Sequence, residues 1–198
     1  MDYGALYVKW APLTKDEENS DSVKYGDIVD LGELMEININ PTYTEAEGYG
    51  DNELREHISR FIKASVDLQV TELPETAAAA MFGADLNGLR DEGDTTYKGV
   101  RHNVADEPPY GGLAFITNKR INGVNYYKGY CLPKLKAVPA GLNFKSVGTS
   151  ISLSGRKLSM VASSLLYNKD WMYESPLYEE LDDAVFWITR RALSRAGQ

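Results

Sequence analysis

From Ile62 to Val70 the chain alternates with a strict period of two. Ile62, Ala64, Val66, Leu68 and Val70 are apolar, and Lys63, Ser65, Asp67 and Gln69 fill the gaps. Successive side chains of a strand point to opposite faces, so this pattern predicts a strand with one face in a core and the other in water. At nine residues it is longer than the typical strand of about 5–6 residues. Long half-wet strands occur in barrels, where the wet face lines a lumen. Residues 27–40, DIVDLGELMEININ, read as mostly extended too, with Glu36, Asn38 and Asn40 alternating with Ile37 and Ile39. Between the two lies PTYTEAEGYGDNELREH, residues 41–57, with glycines, tyrosines and no apolar stripe. It reads as a long inter-strand loop.

The remaining chain is mainly strand-like. GALYVKWAP (4–12) is strand-forming up to Pro12, and TKDEENSDSVK (14–24) is acidic and polar, which predicts a surface loop or mobile arm. LPETAAAAMFG (73–83) predicts a helix. Pro74 suits its start, Glu75 complements the positive end, the alanines favour helix and Gly83 stops it. Such a short helix must dock its alanines, Met81 and Phe82 on a sheet. Residues 84–111 read as loop. GLAFITNKR (112–120) and YYKGYCLPKLK (126–136) flank an Asn-Gly turn signal and predict a hairpin. VGTSISLSG (147–155) and KLSMVASSLLY (157–167) predict two more strands around Gly155. PLYEELDD (176–183) and AVFWITRRALSRAGQ (184–198) leave strand and helix open. The fold class expected is mainly β with one short helix, in one domain spanning 1–198, with 165–198 as a C-terminal extension.

Composition narrows the function. A net charge of −8 does not suit a protein that grips nucleic acid through phosphates, which needs a basic face. One cysteine, Cys131, rules out an internal disulfide framework and fits a reducing cytoplasm. MDYGALYVKW has neither a basic start nor a long apolar run, so no signal peptide is expected. No stretch reaches the roughly 18 apolar residues of a membrane span.

Chemistry-bearing motifs are sparse. His57, His102 and Cys131 are far apart and lack zinc spacing. DLNGLRDEGD (85–94) partly resembles a calcium loop, but Leu89 stands where the third ligand belongs. GTSIS (148–152) starts like a nucleophile elbow yet carries Ser152 at the closing glycine. There is no phosphate-binding loop of the G-x-x-x-x-G-K-[ST] type, and nothing selects a carboxylate pair such as Glu179-Glu180 or Asp182-Asp183. No enzyme and no cofactor is expected.

Taken in order, the pieces resemble the major tail proteins of long-tailed bacteriophages. VKYGDIVDLGELMEININP leads into AEGYGDNELRE, then SVDLQVTELPETAAAAMFG, then EPPYGGLAFITNKRINGVNYYKGYCLPK, then VGTSISLSG. The match spans about residues 23–160 and rests on the ordered set, since no single piece is specific; WITRRALSRAGQ departs from it. The resemblance implies a β-sandwich or half-barrel with a flanking helix, whose inner sheets join into one barrel in a hexameric ring. Stacked rings would form the tail tube, a conduit for DNA during ejection.

Under that resemblance Glu36, Asn38, Asn40, Ser65, Asp67 and Gln69 are lumen-facing candidates. Tyr43, Glu45, Glu47, Tyr49, Asp51, Asn52 and Arg55 are candidates for contact with a neighbouring ring or subunit. The implied partners are copies of the chain, a tape-measure protein and a baseplate-proximal tail protein. DNA would pass the lumen without specific binding, and no membrane is involved. The chain would be made in the host bacterial cytoplasm and reside in the virion tail. Alternatives are a tube protein of a contractile particle or secretion machine, or a β-sandwich carbohydrate- or receptor-binding module. The last would use Trp10, Trp171 and Trp187 as an aromatic platform.

Overall fold

The alternating segments are strands, and they extend further than their patterns. The computed structural model describes residues 2–18, 22–50, 53–86, 100–138 and 155–193. In chain order the strands are β1 (Asp2–Lys15), β2 (Lys24–Tyr25), β3 (Val29–Asp30), β4 (Leu34–Gly50), β5 (Glu53–Val70), β6 (Tyr110–Ile121), β7 (Val124–Val138), β8 (Arg156–Ala162) and β9 (Tyr173–Tyr178). Helix α1 (Glu75–Phe82) follows β5, and α2 (Leu181–Phe186) runs on into a π-helical turn, Trp187–Ala192. The strands form one antiparallel sheet in the order β2-β1-β6-β7-β8-β5-β4, with β3 also on β1 and β9 also on β7.

Both ends of this sheet feed one core. Val66 and Leu68 of β5 and Leu158 and Met160 of β8 share it with Val8 and Trp10 of β1, Leu113 and Phe115 of β6, and Leu132 and Leu135 of β7. Sharing one core between the two ends requires the sheet to curl. It stays open, because β2 and β4 at its ends do not pair among the described residues. Residues 31–33 span the mouth: the Leu31 amide donates to Val8 O at 3.2 Å and the Thr71 amide to Glu33 O at 2.9 Å. Gly32 between them has φ +92, and a Cβ there would stand 2.2 Å from Glu72 O, so only glycine fits. Helix α1 closes the core with Ala77 and Met81, and Gly83 ends it in the left-handed conformation, as its sequence predicts. Each fully buried Leu or Met contributes about 1.5–3 kcal/mol.

The β1–β6–β7 part of the sheet is covered on its other face as well. Ala11, Ala114, Ile116 and Cys131 pack there against Ala184, Ile188, Ala192 and Leu193. This settles the C-terminal segment that the sequence leaves open. Ala184, Ile188 and Ala192 recur every four residues, which places them on one helical face. Residues 111–116 are buried without interruption because both faces of β6 are covered. The helix approaches closely where the sheet has glycine: a Cβ on Gly129 would lie 2.7 Å from the Trp187 ring. Gly129→Val is therefore expected to destabilise by about 1–3 kcal/mol through overpacking, read as a lower denaturant midpoint. An unchanged midpoint would show that the helix does not dock there.

Several sequence expectations need correction. The 14–24 segment is not wholly a solvated arm, since β1 runs to Lys15 and the Asp16 carboxylate is only 5% exposed. The 41–57 segment is not a loop: residues 41–50 and 53–57 belong to β4 and β5, paired as the distal part of the β4–β5 hairpin. An apolar stripe is absent because a ribbon wet on both faces needs none. The 157–167 strand ends at Ala162. The hairpin of β6 and β7 is as expected, with Asn122 (φ 50) and Gly123 (φ 86) in its turn. The strand expected at 147–155, with the GTSIS motif, lies outside the described residues apart from Gly155, as does most of the 85–94 calcium-like segment.

Candidate functional site

The six lumen-facing candidates come together on one sheet face. In register, Glu36 stands opposite Gln69, Asn38 opposite Asp67 and Asn40 opposite Ser65. On the other side of β5, β8 sets Lys157 opposite Gln69, Ser159 opposite Asp67 and Val161 opposite Ser65. The Ser159 hydroxyl donates to Asp67 Oδ1 at 2.8 Å, and Asn38 Nδ2 donates to Glu36 Oε1 at 2.8 Å. A shallow groove runs across this face, lined among others by Glu36, Asn38, Asp67, Gln69, Lys157 and Ser159. Lys157 and Ser159 were not candidates from sequence, although their alternation with Leu158 and Met160 carries the same signal as in β5.

The face is polar but not acidic. Lys63 sits on it opposite Thr42, so Glu36 and Asp67 are matched in number by Lys63 and Lys157. All four are partly or fully exposed, and Ala64, Val66, Leu68 and Val70 beneath them are buried. The alternation breaks at Ile62, which is 52% exposed instead of facing the core. Thr42 pairs with Lys63 but Tyr43 pairs with Phe61, so Ile62 is the extra residue of a β-bulge.

Beyond this bulge β4 and β5 leave the body as a two-stranded arm. Strand β8 accompanies β5 only as far as the Ala64–Ala162 pair, after which the ribbon has no third strand among the described residues. Eight residues from Tyr43 to Gly50 give it a reach of about 25 Å. Residues 41–47 and 56–60 are exposed. On one face of the arm Tyr43, Glu45 and Glu47 stand opposite Phe61, Ser59 and His57. The His57 ring lies 3.9 Å from Glu47, both nearly half exposed. Gly48 pairs with Glu56 and Tyr49 with Leu54, so Arg55 is the extra residue of a second bulge near the tip. Asp51 and Asn52 lie outside the described residues.

The arm's root rests on an aromatic column. The Tyr43 and Phe61 rings meet edge to face at 5.9 Å, and Phe61 stacks on Trp171 at 4.5 Å and 12°. Trp171 belongs to an excursion that sequence reasoning missed. Ala162 stands opposite Leu135 of β7 and Tyr173 opposite Cys131, so residues 163–172 bulge out over only Leu132, Pro133 and Lys134. Pro133 suits a gap in the ladder, because it has no amide to donate.

Asp16 holds this excursion. Its carboxylate accepts from the amides of Leu166 (2.8 Å) and Tyr167 (3.1 Å), and Lys134 Nζ donates to it at 2.6 Å. Burial pushes the Asp16 carboxyl up. The Lys134 hydrogen bond, the two amides and the Lys134 charge outweigh that, so Asp16 titrates below the usual aspartate range. Lys169 reaches Glu18 at 3.2 Å across the same contact.

The three tryptophans form no common platform. Trp10 is 1% exposed beneath Gly111, Trp171 lies under Phe61, and Trp187 packs over Gly129. His102 is exposed, with Phe82 edge-on at 6.4 Å. No protein-family model matches the chain, and no curated protein matches it either.

Proposed function

We propose that this chain is a tail-tube subunit of a long-tailed bacteriophage, which assembles into stacked hexameric rings around a channel for DNA. The observation that carries this reading is the β4–β5 hairpin, one half built into the sheet and the other projecting with residues 41–47 and 56–60 exposed. A bare ribbon of that length is marginal in water and is stabilised when it lies on another surface. In the tube that surface is a neighbouring subunit or ring. Strand β4 pairs only with β5 among the described residues. A long edge of this kind is an aggregation hazard unless an intended neighbour covers it, and ring closure supplies that neighbour.

In this reading the Glu36–Gln69 face lines the channel. With two carboxylates and two ammonium groups it offers phosphate no net attraction, so DNA slides without being held. Glu36→Lys with Asp67→Lys takes the face from zero to four positive charges per subunit. Tubes are then expected to form, with ejection slowed and the slowing relieved by salt, because captured phosphates displace counterions. Unchanged ejection would place this face elsewhere.

The assembly itself is tested by negative-stain electron microscopy of the concentrated protein. Rings or tubes with a stain-filled channel are expected. A monomer at every concentration, with and without the tail proteins that nucleate a tube, would overturn the proposal. The sugar-binding alternative finds little support in the separated, packed tryptophans.

A further inference from the structure

We infer that Trp171 is a positioning residue that sets the angle at which the β4–β5 arm leaves the body, and that the 163–172 excursion exists to present it. The arm departs at a bulge, where a strand bends and its side-chain phase shifts. Beyond Ala64 no third strand among the described residues constrains it. Nothing in the ribbon's own ladder fixes its direction, so that task falls to contacts at the root. Among the described residues the root contacts include one aromatic stack between arm and body, Phe61 on Trp171, and Tyr43 extends it across to β4.

The body side of the stack is braced. Asp16 binds the Leu166 and Tyr167 amides and Lys134. The Leu165 amide donates to Asp170 O at 2.9 Å, and Leu165 is buried. Asn168 Nδ2 donates to Asp170 Oδ2 at 2.5 Å and to the Tyr173 hydroxyl at 3.0 Å. The ten-residue excursion over three residues of β7 buries Leu165 and packs Met172 on the core, and it carries Trp171 to the point where the arm leaves. The ring is a stop against which the arm rests.

The inference concerns the isolated subunit and stands apart from the tube reading; only its consequence for stacking rests on that reading. Spin labels on Ala46→Cys in the arm and Thr76→Cys on α1 report the angle by pulsed dipolar spectroscopy. Both sites are exposed, and Cys131, at 0% exposure, is shielded from the label. One narrow distance distribution is expected for the parent. Trp171→Leu is expected to broaden it, with at least about a twofold rise in the undocked population once the stack is removed. Trp171→Phe, which keeps a stacking ring, restores the narrow distribution. Should Trp171→Leu fail to fold, Phe61→Leu removes the stack from the arm side and is expected to broaden the distribution equally. A narrow, unshifted distribution in a folded leucine variant would overturn the inference, whatever the protein does in assembly.

Discussion

Joining Thr42 to Lys63 through Asn-Gly, with residues 43–62 removed, is expected to leave a folded monomer that no longer forms tubes. Thr42 and Lys63 stand directly opposite each other on the last regular rung before the bulge. A two-residue turn with positive φ at both positions therefore closes the shortened hairpin without strain. The protein already uses that turn at Asn122 and Gly123. The described side chains removed are almost all exposed and contribute little to the core, except Phe61, whose stack on Trp171 is worth about 0.5–1.5 kcal/mol beyond its burial. For a chain of this size that is a fall in Tm of about 1–6 °C. Calorimetry and electron microscopy read the two halves of the expectation separately. Loss of cooperative unfolding would make the arm part of the folded core. Tubes of normal length would remove the arm from the assembly contact.

Which features could be read from the sequence follows from what each depends on. The β5 alternation and the Asn-Gly hairpin depend on local pattern and turn chemistry, and the structure has both. Helix α1 depends on its caps and alanines, and it ends at Gly83 as predicted, while Pro74 stands at the N-cap, one place before the first helical position expected of it. The grouping of Glu36, Asn38, Asn40, Ser65, Asp67 and Gln69 followed from period two once β4 and β5 paired. The arm was illegible because a ribbon wet on both faces carries no hydrophobic period. Ile62 misled for a related reason: a bulge inserts one residue and breaks the phase, and composition does not mark it. The C-terminal helix covers a sheet face whose need for cover shows only when residues 111–116 are known to be buried on both sides. Asp16 was hidden in an acidic run that reads as solvent-facing, and its partners lie 118 and 150 residues away.

Asp16→Ala is expected to be the most damaging single substitution outside the core, costing about 3–5 kcal/mol at neutral pH. The cost arises less from the broken ion pair itself than from the groups it strands. Lys134 Nζ, on a side chain only 12% exposed, is left without its carboxylate, and the Leu166 and Tyr167 amides lose their acceptor. The Tyr110 ring, 5.1 Å from Lys134 Nζ, compensates only in part. Asp16→Ala with Lys134→Met is therefore expected to be more stable than Asp16→Ala alone, because it removes the orphaned charge. The pH dependence distinguishes this account from simple loss of packing. A carboxyl whose folded pKa lies below its unfolded value of about 3.9 stabilises fully above that value. It ceases to do so as pH falls through the folded pKa. The gap in unfolding free energy between parent and Asp16→Ala should thus hold constant from neutral pH down to about pH 5 and shrink below about pH 4. Denaturant titrations across that range measure it. A gap under about 1 kcal/mol at pH 7, or one as wide in acid as at neutrality, would mean that the buried pair does not hold the excursion. The support beneath Trp171 would then have to come from the Asn168–Asp170–Tyr173 hydrogen bonds alone.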